Sequence, residues 1–165
     1  MPNKYFTIEQ ILTMLAAGPR RISALITSLS PAQLRTASST DEWSANDVLA
    51  HLRACGDMWG NCIATIIAED KPTIRAINPR TWIKNTDYPE LEFQPSLQTF
   101  DRQRATLLKV LEELKPNDWL RTATLTGAGK PLERSVLYYA DSLARHERPH
   151  VKQIERIINT MQTKQ

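Results

Sequence analysis

The chain has 165 residues, of which 41% are apolar and 24% are charged. These values predict one globular domain over residues 1–165 and exclude a chain that is disordered throughout. The net charge of +3 arises from 21 basic and 18 acidic residues mixed along the sequence. This balance is too mild and too dispersed to favour nucleic-acid binding.

The sequence contains no apolar stretch of about 18 residues or more, the length that a membrane span requires. Polar residues interrupt the N-terminal segment before a signal core can form, so we expect a cytoplasmic protein. Cys55 and Cys62 fall in one predicted helix about 10 Å apart, beyond disulfide reach. We therefore expect both cysteines to be reduced thiols, as is usual in the cytoplasm.

Helical periodicity of apolar residues dominates the first third of the chain. It predicts a first helix over residues 8–29, in which Gly18 and Pro19 are expected to cause a kink because proline lacks an amide donor. A second helix is predicted to begin at Ser44, a typical N-cap residue, and to extend through Ile66.

The rest of the chain supplies two further helices. From about residue 69 to 95 four prolines break the pattern, and this long connection is expected to place Trp82 at the mouth of a pocket. A third helix is predicted over residues 95–114 and a fourth over 135–161, with a short extended hairpin or an irregular loop at 120–134. The predicted fold is therefore all-α: a four-helix bundle with a long connection between its second and third helices.

All three histidines of the chain are predicted to point into this bundle. His146 and His150 are four residues apart, so both imidazoles leave one face of the last helix, and His51 lies on the core side of the second helix. Burying three ionisable rings is costly unless a partner compensates, and one divalent cation can bind all three. Three imidazole ligands leave a coordination position open, as in catalytic sites, and suit zinc, nickel, copper or iron(II). Zinc is expected because of its availability, with nickel next.

Two motifs resemble the DinB/YfiT-like superfamily. Residues 42–52, EWSANDVLAHL, resemble its Trp-Ser-x-x-x-Val-Leu-x-His signature, and residues 146–154, HERPHVKQI, resemble its closing His-x-x-x-His-x-x-Gln-Ile motif. The resemblance implies a four-helix bundle with these three histidines as metal ligands, commonly assembled as a homodimer. It also implies a small-molecule substrate and, in thiol-dependent members, a low-molecular-weight thiol. Pro149 departs from the pattern and is expected to distort the last helix beside His150.

Four neighbouring residues are candidates for further roles. Asp47 lies one turn before His51 and either accepts its second ring proton or is a first-turn acid that favours the helix dipole. Tyr139 is a candidate to present its hydroxyl to a substrate. Cys55 either packs in the core or supplies a fourth ligand or a reactive thiol, and Gln153 either reaches the metal shell or is solvated.

Three functions remain compatible with these residues. The leading hypothesis is a metal-dependent enzyme that activates a small thiol, or water, for transfer to or hydrolysis of a small substrate. The second is a non-catalytic metal-binding stress or assembly protein, in which the ion ties two helices together. The third is a bundle whose histidines are packed without any metal.

Overall fold

The structure of the protein, a computed structural model, describes residues 3–25 and 28–163. Its elements in chain order are α1 (Ile8–Leu25), α2 (Pro31–Arg35), α3 (Ala45–Ala68), β1 (Thr73–Arg75), α4 (Pro79–Ile83), α5 (Phe93–Glu112), β2 (Thr122–Thr126), β3 (Leu132–Ser135) and α6 (Val136–Thr163). Among the long helices, α1 and α3 each pack against both α5 and α6, which builds the predicted four-helix bundle. None of the helices in the described ranges combines the length and apolarity needed to cross a bilayer.

A small sheet corrects the expectation of a purely helical chain. The predicted hairpin at 120–134 forms as the antiparallel pair β2 and β3, joined by a turn in which Gly127 and Gly129 adopt φ values of 86° and 85°. Glycine suits this left-handed backbone because it has no Cβ. A third strand, β1, pairs in parallel with β2 and places Thr73 opposite Thr124. The connection over residues 69–92 is therefore attached to the body of the protein by backbone hydrogen bonds.

The helix boundaries differ from the predicted ones mainly at the end of the first helix. α1 is described as Ile8–Leu25 and residues 26 and 27 lie outside the described ranges, but residues 28 and 29 are not helical, whereas the periodicity continued to residue 29. α3 begins as predicted, because Ser44 and Asp47 form a reciprocal capping box. α1 and α6 both remain helical through their internal prolines, Pro19 and Pro149, so neither proline ends its helix.

The interior consists of two apolar clusters separated by a polar layer. The first cluster combines α1, α3, α5 and α6 around Ile11, Leu15, Ile63, Ile66, Leu111, Val136, Ala140 and Leu143. The second combines other turns of the same helices around Ile22, Val48, Leu49, Leu52, Phe93, Leu97, Phe100, Val151 and Ile154. On α6 the residues between the two clusters include His146, Glu147 and His150, so the histidines and a buried carboxylate occupy the same level of the bundle.

A buried ion pair holds this layer together, and it explains the Gly18-Pro19 sequence. The Arg104 guanidinium donates to both carboxylate oxygens of Glu147, at 2.8 and 2.5 Å, and to the backbone carbonyl of Leu15 at 2.8 Å. Pro19 has no amide hydrogen, so the Leu15 carbonyl four residues earlier lacks its helical donor and is free to accept. A Cβ on Gly18 would lie 1.9 Å from Glu147 Oε1, so only glycine leaves room for this carboxylate.

A second polar cluster anchors the long connection to α3. The Asp57 carboxylate accepts hydrogen bonds from Tyr88 Oη at 2.6 Å, from Trp82 Nε1 at 3.4 Å and from the amide of Gln103. The Arg53 guanidinium lies over the Tyr88 ring, 3.8 Å from its centroid. Burial, together with the hydrogen bond to Asp57, raises the pKa of Tyr88 to about 12, so this phenol remains a donor at neutral pH.

Replacing Asp57 with alanine is expected to loosen the connection without unfolding the bundle. Three donors lose their common acceptor, and the expected cost is about 1–3 kcal/mol because these half-buried groups regain water only in part. Hydrogen exchange should become faster over residues 79–90 while α6 keeps its protection. Asp87→Ala is the matched control, since the Asp87 side chain makes no cap hydrogen bond. Equal exchange rates in the two variants would contradict this role of Asp57.

Candidate metal centre

The three histidines predicted from the sequence meet between α3 and α6. Ring centroids lie 5.0 Å apart for His51 and His146, 4.7 Å for His51 and His150, and 4.6 Å for His146 and His150. The Nε2 atoms of His51 and His146 are 3.1 Å apart. The structure thus brings together residues that are separated by 95 positions in the chain.

Neighbouring side chains fix the orientation of these rings. Gln153 Oε1 lies 3.0 Å from His150 Nδ1, and because a carboxamide oxygen only accepts, Nδ1 carries the proton and Nε2 keeps a free lone pair. The Trp43 indole lies nearly parallel to the His150 ring, at 6.2 Å and 14°, and is tilted against His51 at 5.2 Å. Trp59 meets the His146 ring edge-on at 5.0 Å.

The electrostatic environment keeps two of the rings neutral. Burial, followed by the charges of His150 and Arg80, lowers the pKa of His51 to about 4. Burial, followed by the other two histidines, lowers the pKa of His146 to about 4. Neutral imidazole is the form that binds a metal ion, so both side chains are ready to act as ligands at pH 7.

The separations of the donor atoms fit a tetrahedral ion. Two nitrogens bound at about 2.0–2.1 Å in tetrahedral geometry lie about 3.3 Å apart, close to the 3.1 Å between His51 Nε2 and His146 Nε2. Cys55 Sγ lies 3.7 Å from His51 Nε2, and a tetrahedral zinc–cysteine–histidine pair requires about 3.6 Å. One ligand atom from each of His51, Cys55 and His146 lies within 4.8 Å of the other two. His51, Cys55 and His146 therefore fit a divalent cation, and the His150 ring lies beside this group with its centroid 4.7 Å from that of His51.

Cys55 is buried, with only 1% of its surface exposed. Burial, followed by the negative charge of Glu147, raises the pKa of this thiol to about 12. Without a cation beside it the thiol stays protonated and unreactive at neutral pH, which agrees with a packing role. Of the three alternatives raised by the sequence, a packed thiol and a fourth ligand are thus compatible with its position, whereas the raised pKa disfavours a reactive thiol in the absence of a cation.

The two candidate catalytic residues occupy different surroundings. The Asp47 carboxylate accepts hydrogen bonds from the backbone amide and the hydroxyl of Ser44, both at 2.9 Å, so its contacts are those of a helix cap. In the described part of the chain no hydrogen bond joins Asp47 to His51. Tyr139 is 3% exposed and belongs to the first apolar cluster, next to a separate cavity, rather than to the group of histidines.

An open cleft of about 820 Å³ leads to His150. Trp43 and Gln153 line it beside His150, together with charged side chains of both signs that include Glu42 and Arg156. A small polar molecule can therefore approach the His150 imidazole from solvent along this side of α6.

Two groups of polar contacts were not predicted from the sequence: the Arg104–Glu147 ion pair next to His146, and the contacts of Asp57 with the long connection. Glu147 directly follows His146 and fixes this turn of α6 through its ion pair with Arg104. A signal was available, because Glu147 and Arg104 both fall on the apolar stripes of their helices. Asp57 carried no such signal, because its partners Trp82 and Tyr88 lie in a segment without periodicity.

Acidification is expected to weaken the metal-free protein. The folded pKa values of His51 and His146, about 4, lie below the value of 6.5 expected after unfolding. The unfolded state therefore binds more protons between these limits, and the free energy of unfolding falls as the pH drops from about 6.5 toward 4. We expect a loss on the order of 1–2 kcal/mol per ring, allowing for solvent screening of these half-buried groups.

Urea titrations in the presence of a chelator measure this effect. Carboxylates also titrate near pH 4, so the quantity to compare is the difference between the wild type and His51→Asn/His146→Asn at each pH. A difference that stays constant from pH 7.5 to pH 4.5 would contradict the lowered histidine pKa values.

Comparisons with known proteins agree with this architecture. YfiT from Bacillus subtilis, described as a probable metal-dependent hydrolase with an unusual four-helix bundle topology, matches at TM-score 0.80 and 15% identity, over 98% of this chain and 93% of its own. TT2238, described as a four-helix bundle protein, matches at TM-score 0.63 and 21% identity, over 91% of this chain and 99% of its own. No curated protein sequence matches. The family model of the DinB superfamily matches residues 14–154, most of the chain, and the chain therefore belongs to the DinB superfamily.

Proposed function

We propose that the protein is a metal-dependent enzyme that binds one divalent cation through His51, His146 and His150. The observation that carries this proposal is the convergence of three imidazoles, with the Nε2 atoms of His51 and His146 3.1 Å apart. The third ring, His150, lines an open cleft. Zinc is the expected ion, with nickel next, because ligation by imidazole suits both. The likeness to YfiT, a probable metal-dependent hydrolase, supports the same reading.

The bound ion would lower the pKa of a water or a small thiol and so supply a nucleophile at neutral pH. Three side chains near the histidines would support this chemistry. Gln153 holds His150 in the tautomer that leaves its Nε2 free to bind an ion. Trp43, 37% exposed at the entrance, stacks on His150 and offers a flat surface to an incoming substrate. Trp59 packs edge-on against the His146 ring and helps to hold its orientation.

Metal analysis of protein purified without a histidine tag tests the site. We expect about one ion per chain in the wild type and almost none in His51→Ala or His146→Ala. Asp47→Asn is the matched control, because its carboxylate caps α3 and is expected to leave the metal content unchanged. A wild-type protein that stays metal-free after incubation with zinc and with nickel would overturn the proposal and leave the histidines as packed residues.

Two assays then distinguish a thiol from water as the nucleophile. In the first, the metal-loaded protein is incubated anaerobically with a chloronitrobenzene electrophile and glutathione, bacillithiol, mycothiol or coenzyme A. In the second, it receives an activated nitrophenyl ester without any thiol. A wild-type rate above that of His51→Ala supports a thiol transferase in the first assay and a hydrolase in the second. Equal rates of wild type and variant in both assays would contradict an enzymatic function.

The position of Cys55 favours a second candidate, a metal-binding protein without catalysis. If the thiolate occupies the fourth position, the site is closed, as in structural zinc centres. Cobalt substitution distinguishes the two, since thiolate ligation gives an intense near-ultraviolet charge-transfer band that imidazole ligation lacks. A band that disappears in Cys55→Ser supports the closed site, whereas identical spectra of wild type and variant support the open, catalytic one.

Assembly and location follow the family resemblance. We propose a homodimer in the cytoplasm, with a small-molecule substrate and, in the thiol-dependent case, a low-molecular-weight thiol as partners. Light scattering of the purified protein measures the oligomeric state.

A further inference from the structure

The cleft of about 820 Å³ is lined by two segments that carry opposite charges. One segment, residues 36–43, precedes α3, and the other, residues 150–161, belongs to α6. The first contributes the carboxylates of Asp41 and Glu42, and the second contributes the Arg156 guanidinium. A molecule in the cleft therefore meets negative groups from one segment and a positive group from the other.

These charged groups are free to bind a ligand. In the described part of the chain, the side chains of Asp41 and Arg156 form no ion pair and no hydrogen bond, and Glu42 accepts a hydrogen bond from the Ser38 hydroxyl. All three charged residues are exposed to solvent. Because no ion pair joins the carboxylates to the guanidinium, the space between them is left for a molecule that carries charges of its own.

Apolar groups line the same cleft. The Trp43 ring, which stacks on His150, lines it together with Ile157 and Met161. An apolar group of a ligand that covers these side chains would remove their surface from water, and an aromatic group would add favourable contacts between rings. The cleft therefore suits a molecule that combines charged ends with an apolar part.

The geometry of α6 sets the length of a ligand that uses the whole cleft. A rise of about 1.5 Å per residue places Arg156 about 9 Å from His150 along the helix, and Met161 about 16 Å from it. The volume of the cleft lies within the range of about 300–1,000 Å³ found for small-molecule sites. Both charges of a free amino acid are attached to one carbon atom, whereas a short peptide holds them several bonds apart, as the unpaired groups of the cleft require.

We propose that this cleft binds a small peptide-like zwitterion, with its ammonium group at Asp41 and Glu42 and its carboxylate at Arg156. The inference rests on the proposed function, because it names the class of substrate for the cleft that reaches His150. An anion without a positive group would face two carboxylates, and a cation without a negative group would face the guanidinium. A molecule with both charges satisfies both segments, and its apolar side chain covers Trp43.

Three matched dipeptides test the proposal. Glycyl-phenylalanine carries both charges, its N-acetyl form lacks the ammonium group, and its C-terminal amide lacks the carboxylate. Titrations of the nitrogen-15-labelled protein follow the indole N–H signal of Trp43 by NMR, and Trp43→Phe identifies this signal among those of the other tryptophans. We expect the wild type to bind glycyl-phenylalanine about tenfold more tightly than either blocked form, because each block removes a charge-assisted contact.

Two variants and two controls assign each preference to its charge. Arg156→Gln should bind glycyl-phenylalanine and its amide equally, because it no longer contacts the carboxylate. Asp41→Asn/Glu42→Gln should bind glycyl-phenylalanine and its N-acetyl form equally. Lys152→Gln and Glu112→Gln remove exposed charges that do not line the cleft, so both should keep the two preferences.

The titrations are made in the presence of a chelator, so they do not depend on a bound cation. Absence of glycyl-phenylalanine binding, a preference over only one blocked form, or preferences that survive in both variants would overturn the proposal. A protein that holds an ion but binds the three dipeptides equally would contradict this inference alone. A protein that distinguishes the dipeptides but holds no ion would contradict only the metal centre.

Discussion

Replacing Arg104 with alanine is expected to destabilise the protein by about 3–5 kcal/mol. The Arg104–Glu147 pair has side-chain exposures of only 3% and 4%, so the variant leaves a carboxylate buried without a counter-charge. It also removes the donor to the Leu15 carbonyl, which Pro19 deprives of its helical partner. Urea denaturation at pH 7, followed by circular dichroism, measures the loss.

Two controls show whether the loss comes from the unpaired charge. The double variant Arg104→Met/Glu147→Leu removes both charges and should recover much of the stability, because a buried pair is often replaceable by apolar side chains. Arg21→Ala breaks an ion pair with Glu155 in which the arginine is 42% exposed, and should cost at most about 1 kcal/mol. Similar losses for Arg104→Ala and Arg21→Ala would argue against a structural role for the buried pair.

Metal binding is expected to produce the second large effect, on thermal stability. An ion that binds only the folded state at a thousand times its Kd stabilises that state by about 4 kcal/mol. We therefore expect the Tm of the wild type to rise clearly when zinc is added and to fall again with a chelator. His146→Ala lacks one of the two nitrogens that lie 3.1 Å apart, and its Tm should respond to neither addition.

Gln153→Leu provides an intermediate case. The variant keeps all three imidazoles and removes the acceptor that orients His150, and losses of such supporting contacts typically weaken metal binding about 10–100-fold. Its Tm should still rise with zinc, but at higher concentrations than in the wild type. A wild-type Tm that is insensitive to zinc and nickel would contradict a metal centre, whatever the variants do.

Much of the candidate site was predictable because it depends on helical periodicity. His146 and His150 lie on one face of any helix, and the apolar positions around His51 show which side of α3 faces inward. Two such faces must meet in a four-helix bundle, so the convergence of the rings follows from patterns within each helix.

Other parts of the fold depend on contacts between distant segments, and these contacts leave no pattern in the local sequence. β1 has three residues, too few for a strand signal, and its pairing with β2 depends on how the connection crosses the bundle. The Asp57 contacts join α3 to Tyr88, 31 positions away, in a stretch without periodicity. The missing amide donor at Pro19 follows from the sequence alone; what could not be foreseen was that Arg104 of α5 would donate to the Leu15 carbonyl left free.

The hydrogen bond from Arg104 to the Leu15 carbonyl limits how the sequence can change during evolution. Four residues depend on one another in this layer. Gly18 leaves room for the Glu147 carboxylate, Pro19 leaves the Leu15 carbonyl free to accept, and the Arg104 guanidinium donates to both groups. Exchange of any single member leaves the others strained or unsatisfied. Across the lineage of this protein, the four positions should therefore be inherited or lost together, and a relative with alanine at position 18 should also lack the ion pair.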